Sequence, residues 1–119
     1  MAQKVLIVDD QKGIRKLLEE LFKKEGLDVM VAADGREAIS MVEGYVPDII
    51  LMDVKMPNMN GLEAAQEILR INQNIPIVMM TAYGETEVVK KALEIGVKKY
   101  ITKPFDIVVV RDMVKEILG

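Results

Sequence analysis

The sequence predicts an α/β fold: a doubly wound, five-stranded parallel sheet with helices on both faces. Three observations carry this. Short apolar runs alternate with helical patterns five times along the 119 residues. The connections are short, and strict strand–helix alternation with short connections makes a parallel sheet covered by its crossover helices. The runs are rich in branched residues at successive positions, as in strands buried on both faces. Crossovers of this kind are right-handed, which winds the helices onto both sides.

The elements follow in order. The first strand reads KVLIVD over 4–9. Ile14, Leu17, Leu18, Leu21 and Phe22 then keep helical spacing, and Gly26 ends that helix as a left-handed cap. Gly13 lies near its start, where glycine costs about 1 kcal/mol relative to alanine. A frayed first turn accounts for it, and so does the close approach of a partner helix. The second strand is DVMVA over 28–32, and Asp34 with Glu37 reads as a capping box for a helix that stops near Gly44. The third strand is DIILMD over 48–53. Asn60 with Glu63 opens the next helix, with Leu62, Ala65, Ile68 and Leu69 on one face and Gly61 serving the turn. The fourth strand is PIVMMT over 76–81, followed by a helix from about Glu85 to Ile95 that Gly96 stops. The fifth is KYIT over 99–102. The last helix starts after Pro104 with Ile107, Val110, Val114, Ile117 and Leu118 inward. Val109 and Met113 fall on a different face, and near Tyr100 they would form an apolar contact patch.

Composition bounds the chemistry. The net charge is −3 and no block of Lys and Arg stands out, which argues against nucleic acid as a direct partner. There is no cysteine and no histidine, so disulfides, thiolate metal sites, zinc ligation by imidazole and histidine base catalysis are excluded. No apolar run approaches the roughly 20 residues of a membrane span. The first apolar run is too short for a signal peptide, so the expected compartment is the cytoplasm. Nine methionines are many for this length and are expected mainly as core filler, with some on adaptable surfaces. No linker, repeat or low-complexity segment interrupts the chain.

In this fold class ligands bind outside the carboxyl ends of the strands, near the switch in strand order. The residues there are Asp9 and Asp10, Ala32 and Ala33, Asp53, Thr81, and Thr102 with Lys103 and Pro104. Two carboxylates 4 Å apart repel by roughly 4 kcal/mol at an effective dielectric of about 20, a cost that a fold does not need. Something positive must offset it. Three carboxylates without histidine or cysteine suit a hard, oxygen-seeking cation such as Mg²⁺. Singly, each residue has an ordinary reading. Asp9 or Asp10 would cap the first helix, Lys103 would be a surface lysine, and Thr81 would end a strand. Their convergence on one rim outweighs those readings.

The motifs "IVDDQ", "ILMDVKMPNMNG", "MMTAYGE" and "ITKPFD", in this order and spacing, resemble the receiver domains of bacterial two-component response regulators. The resemblance covers the whole chain. Within that family, "DDQKGIR", "MTAYGE" and "KPFDI" are most like the single-domain regulators of sporulation phosphorelays. The resemblance implies a flavodoxin-like sheet of strand order 2-1-3-4-5 and a single receiver domain over 1–119 with no output domain. It implies Asp53 as phosphoryl acceptor. Mg²⁺, with Mn²⁺ able to substitute, would be bound directly by Asp10, largely through water by Asp9, and by Asp53 and the backbone carbonyl of Lys55. Lys103 would pair with the phosphoryl oxygens and Thr81 would hydrogen-bond another. Tyr100 takes the aromatic switch position, and the Lys103–Pro104 bond is expected cis. Gln11, Gly13, Ile14, Leu17, Tyr83, Gly84, Pro104 and Phe105 correspond to the face that docks a histidine-bearing helical bundle. Lys12, Val108 and Val109 depart from the sporulation pattern, which bears on partner identity and not on the chemistry.

With no histidine of its own, such a protein takes its phosphoryl group from a sensor histidine kinase. It would pass the group to a four-helix-bundle histidine phosphotransferase, with phosphatases as further partners and a monomer or weak homodimer as its state. Lys55 and Tyr83 would lie over the path of attacking water, so slow self-hydrolysis is expected. A chemotaxis-like regulator whose phosphorylated face binds a target is the alternative, and a piece of a larger transcription regulator is a further one. Two rivals outside the family fare worse. A haloacid-type phosphatase needs a second acid two residues after its strand-end Asp, where this chain has Lys55. A flavin carrier needs a Ser/Thr/Gly phosphate loop after the first strand, where this chain has acids.

Overall fold

A computed structural model of the chain describes residues 2–82 and 84–119. The elements run β1 (Lys4–Val8), α1 (Lys12–Lys24), β2 (Asp28–Ala32), α2 (Gly35–Gly44), β3 (Ile49–Asp53), α3 (Gly61–Ile71), β4 (Ile77–Ala82), α4 (Thr86–Ile95), β5 (Lys99–Lys103) and α5 (Ile107–Leu118). The strands form one parallel sheet of order β2-β1-β3-β4-β5, the predicted topology. Because the order reverses at β1 and β3, the ends of these two strands flank the switch point where this fold class binds ligands.

Alternate strand residues feed two cores. Val5 and Ile7 of β1, Ile49 and Leu51 of β3, and Val78 and Met80 of β4 pack with Leu18 and Phe22 of α1 and Val110 and Val114 of α5. Leu6, Val8, Ile50, Met52, Ile77 and Met79 face the other way, onto Ala38 and Val42 of α2, Ala64, Ala65 and Ile68 of α3, and Ala92 of α4. This explains why the central strands carry successive apolar residues, Val5–Val8, Ile49–Met52 and Ile77–Met80. The methionines at 30, 41, 52, 56, 59, 79, 80 and 113 all lie in these cores or against them, so core filling accounts for each described one.

Local signals hold with four amendments. Gly26 and Gly96 take positive φ (82° and 111°) where α1 and α4 end. The Asn60–Glu63 pair is a full capping box. The Asp34–Glu37 pair is only half of one: Asp34 accepts the Glu37 N–H at 2.9 Å, but the Glu37 carboxylate accepts from Ala33 at 3.4 Å. The Asp pair does not cap α1 either. Gln11 is the N-cap and makes no side-chain cap bond, while Asp9 accepts the Gln11 N–H at 2.9 Å. Ile107, expected inward, is 39 % exposed. It opens α5, three residues before Val110, the first residue of that helix to be buried. Ile14, expected as a contact, packs half-buried against the α1–α5 core.

Candidate functional site

Asp9 and Asp10 occupy the turn after β1. The main chain there is fixed twice: the Asp9 N–H donates to Ala32 at 3.1 Å, and Arg15 Nη1 of α1 donates to the Asp9 carbonyl at 2.7 Å. The Asp9 side chain is fully buried, whereas Asp10 is exposed. Asp53 ends β3 and is 8 % exposed, its Oδ1 accepting the Val54 N–H at 2.9 Å. Carboxylate oxygens of Asp9, Asp10 and Asp53 lie within 4.8 Å of one another.

Lys103, at the end of β5 and 94 residues from Asp9, reaches across to this cluster. Its Nζ lies 2.7 Å from Asp9 Oδ2 and 3.3 Å from Asp53 Oδ1. The family resemblance implies that this lysine pairs with phosphoryl oxygens. Here its ammonium bridges two of the three acids, and so supplies part of the positive charge that the acid pair requires.

The compensation is incomplete. Burial is the largest influence on Asp53, and the Asp9 charge adds to it. Together they outweigh Lys103 and the Val54 N–H and push the Asp53 carboxyl up to about 6. Burial pulls the Lys103 ammonium down, but its bond to Asp9 and the charges of Asp53 and Asp9 win, and it is held above its ordinary value. A cluster of three carboxylates against one ammonium is therefore short of positive charge. Its donors are all hard oxygens, and the set fits a divalent cation of the Mg²⁺ type held by Asp9, Asp10 and Asp53.

Above the acids opens a cleft of about 290 Å³ lined by Asp10, Gln11, Asp53, Lys55, Ala82, Glu85 and Lys103. Thr81 is 2 % exposed, and its hydroxyl donates to the Ile101 carbonyl at 3.4 Å, toward β5 rather than toward the acids. Beyond it a groove of about 260 Å³ runs between Thr81, Val89 and the half-exposed Tyr100. The Lys103–Pro104 bond is cis, as expected. Of the expected docking face, Gln11, Gly13 and Leu17 are exposed around the start of α1, with Gly84 and Pro104 exposed on neighbouring loops; Phe105 is half-buried against the α1–α5 core. A Cβ at Gly13 would meet nothing within 4 Å. The Tyr83 expectation lies outside the described residues.

Three contributors escaped the sequence. Gly61, read as turn geometry, packs its Cα against the end of β3, where a Cβ would overlap the Asp53 carbonyl oxygen. Its N–H donates to the Val54 carbonyl at 2.7 Å. Arg15, three residues past Lys12, anchors Asp9. Glu85, read only as a helix start, accepts the Ala82 N–H at the cleft wall. Only Gly61 carried a signal, a glycine eight residues after a strand-end acid.

This geometry agrees with the family comparison: residues 5–115 match the response regulator receiver domain. The chain is a member of that family. Among relatives, the receiver is 45 % identical over 118 residues to sporulation initiation phosphotransferase F of Bacillus subtilis, covering 99 % of this chain and 95 % of that protein. It is 40 % identical over 118 residues to the chemotaxis protein CheY of Halobacterium salinarum, covering 99 % and 98 %. Among solved structures, it superposes with a TM-score of 0.92 and 33 % identity on a chain of the CheX-CheY-BeF3-Mg+2 complex from Borrelia burgdorferi, covering 98 % of this chain and 90 % of that one.

Proposed function

We propose that this receiver is a phosphorelay carrier that accepts a phosphoryl group on Asp53 and passes it to a histidine on a second protein. The observation that carries the reading is the Asp53 carboxylate: buried, raised to about 6, touched by Lys103 and open to a cleft with Asp10 at its mouth. Phosphoryl transfer asks for positioning and charge neutralisation more than covalent help. Asp53 Oδ attacks phosphorus as the P–N bond of a donor phosphohistidine breaks, and the imidazole leaves with the bonding pair. Lys103 follows the charge from the acids onto the phosphoryl oxygens, and Thr81 turns its hydroxyl from Ile101 to another of them. Bound Mg²⁺, or Mn²⁺ in its place, would neutralise charge on the carboxylates and the transferring group, held by Asp10 and Asp53 with Asp9 behind and the Lys55 carbonyl beside them.

The chain contains no histidine, so donor and acceptor are other proteins, a sensor histidine kinase and a four-helix-bundle histidine phosphotransferase. Gln11, Gly13, Leu17, Gly84 and Pro104 form their docking face, with Ile14 and Phe105 as half-buried supports. We place this receiver in the cytoplasm, as a phosphotransferase in the limited sense of a carrier. The likeness to sporulation initiation phosphotransferase F favours the relay. The likeness to CheY, with apolar Val108 and Val109 exposed on α5, favours the alternative of a regulator that binds a target directly.

Loading Asp53, removing the donor and following the label separates these readings. The relay predicts slow loss in buffer and rapid transfer to a histidine phosphotransferase of the same organism. Loss within seconds with no label on any histidine protein contradicts it.

A further inference from the structure

Glu85 stands at the N-cap position of α4, yet its side chain makes no cap bond to that helix. It turns back instead. Its carboxylate accepts the Ala82 N–H, and its own N–H donates to the Ala82 carbonyl at 3.3 Å. Ala82 is the last residue of β4 and pairs in register with Lys103, while Asp53 pairs with Met80 two residues earlier. The Ala82 amide therefore belongs to the same rim as the Lys103 ammonium. Both Ala82 and Glu85 line the acid cleft and also the groove beside Thr81 and Tyr100. Glu85 thus forms part of the wall between the two spaces, bound to a main-chain donor there.

A phosphoryl group on Asp53 would bring three strong acceptor oxygens and nearly two negative charges into this cleft. We infer that Glu85 is an internal competitor of that group: its carboxylate holds the Ala82 N–H beside the Asp53 cleft, and must let go for phosphoryl oxygens to take that donor. The inference deepens the reading of Asp53 as acceptor and rests on it. Two forces act together. Carboxylate and phosphoryl oxygens compete for one donor, and their like charges repel across a cleft walled by protein. Glu85 therefore weakens phosphoryl binding at Asp53. It is a positioning residue and takes no part in bond making.

The probe is fluoroberyllate, a phosphoryl mimic, titrated in Mg²⁺ buffer into the wild type, Glu85→Ala and Glu85→Gln, with the Ala82 amide followed by ¹H–¹⁵N NMR. Glu85→Ala should bind about 3- to 10-fold more tightly, the loss of one charge-assisted competitor. Glu85→Gln keeps an acceptor without its charge and should fall between. In the protein free of fluoroberyllate, the Ala82 amide resonance should shift in Glu85→Ala and be restored in part by Glu85→Gln. Both variants should melt close to wild type; if Glu85→Ala does not fold, Glu85→Gln carries the affinity comparison. Equal or weaker fluoroberyllate binding by folded variants overturns the inference and leaves Glu85 as a turn closure. Absence of fluoroberyllate binding by the wild type overturns the acceptor reading beneath it, an outcome told apart by the wild-type titration alone.

Discussion

At the N-terminal rim of the sheet, the Lys4 ammonium lies 5.2 Å from the centroid of the Tyr45 ring, and Asp48 accepts the Lys4 main-chain N–H at 2.7 Å. Asp28 stands nearby, and burial with the charges of Asp28 and Asp48 pushes the Tyr45 hydroxyl above its ordinary value. At the C-terminal rim, Asp9, Asp10 and Asp53 gather around Lys103. Both rims thus combine acids with a lysine. At the first, Asp28 and Asp48 are exposed and water screens their charge. At the second, Asp9 is fully buried and Asp53 nearly so, where an uncompensated charge is expensive. The comparison teaches that residue type does not mark the site. Charge kept in a place where the fold pays for it does.

The strongest blow to the C-terminal rim is steric. Gly61→Ala forces a methyl group into the Asp53 carbonyl, which is main chain and cannot move aside. We expect a loss of about 2–4 kcal/mol in urea denaturation. Gly13→Ala, where the added Cβ meets nothing, should not destabilise the fold. Equal effects would contradict the packing described for α3.

Metal should sharpen the contrast. Mg²⁺ at a hundredfold excess over its Kd should stabilise the wild type by about 2.7 kcal/mol, read as a rise in Tm. Asp10→Ala should abolish that rise while remaining folded. Asp48→Ala, at the other rim, should keep it in full. A rise of equal size in Asp10→Ala would place the cation elsewhere.

Removing metal exposes the cost of Asp53. Its carboxyl is raised from 3.8 to about 6 in the folded chain, so between these values the folded state holds a proton that the unfolded state has released. The contribution of this group is full below about pH 4 and is lost as pH rises to about 6. That is a decline on the order of 2–3 kcal/mol in chelator-treated protein. Asp53→Asn should flatten the decline, and denaturation curves across this range check it. A wild type that gains on Asp53→Asn through the same window would reverse the sign and refute the compensation argument.

The smallest effect belongs to the N-terminal rim. Asp48→Ala removes an exposed bond to the Lys4 N–H and should cost no more than about 1 kcal/mol in the same assay.

Much of this was legible because it is local. An apolar run ending in Asp53, glycines stopping α1 and α4, and the Asn60–Glu63 box each declare themselves within a few residues. The doubly wound order then brings the strand ends together, so Asp9, Asp10, Asp53 and Lys103 meet as expected. What stayed hidden depends on tertiary geometry. The Lys103 bond to Asp9 depends on where a long side chain settles after reaching across from β5. The need for Gly61 arises from how closely α3 approaches β3. Glu85 looked like a helix start because its sequence position is one, while its carboxylate turns the other way. Ile107 continued the apolar period of α5 into a first turn where burial begins only at Val110.

The central claim, that the C-terminal rim keeps its buried acids in order to load Asp53, is tested most directly by intact mass. The protein is incubated with Mg²⁺ and a small phosphodonor, beside Asp53→Asn and a chelator control. The account predicts one added phosphoryl group on the wild type, none on Asp53→Asn, and none without metal. Full loading of Asp53→Asn, or loading that ignores the chelator, would contradict it.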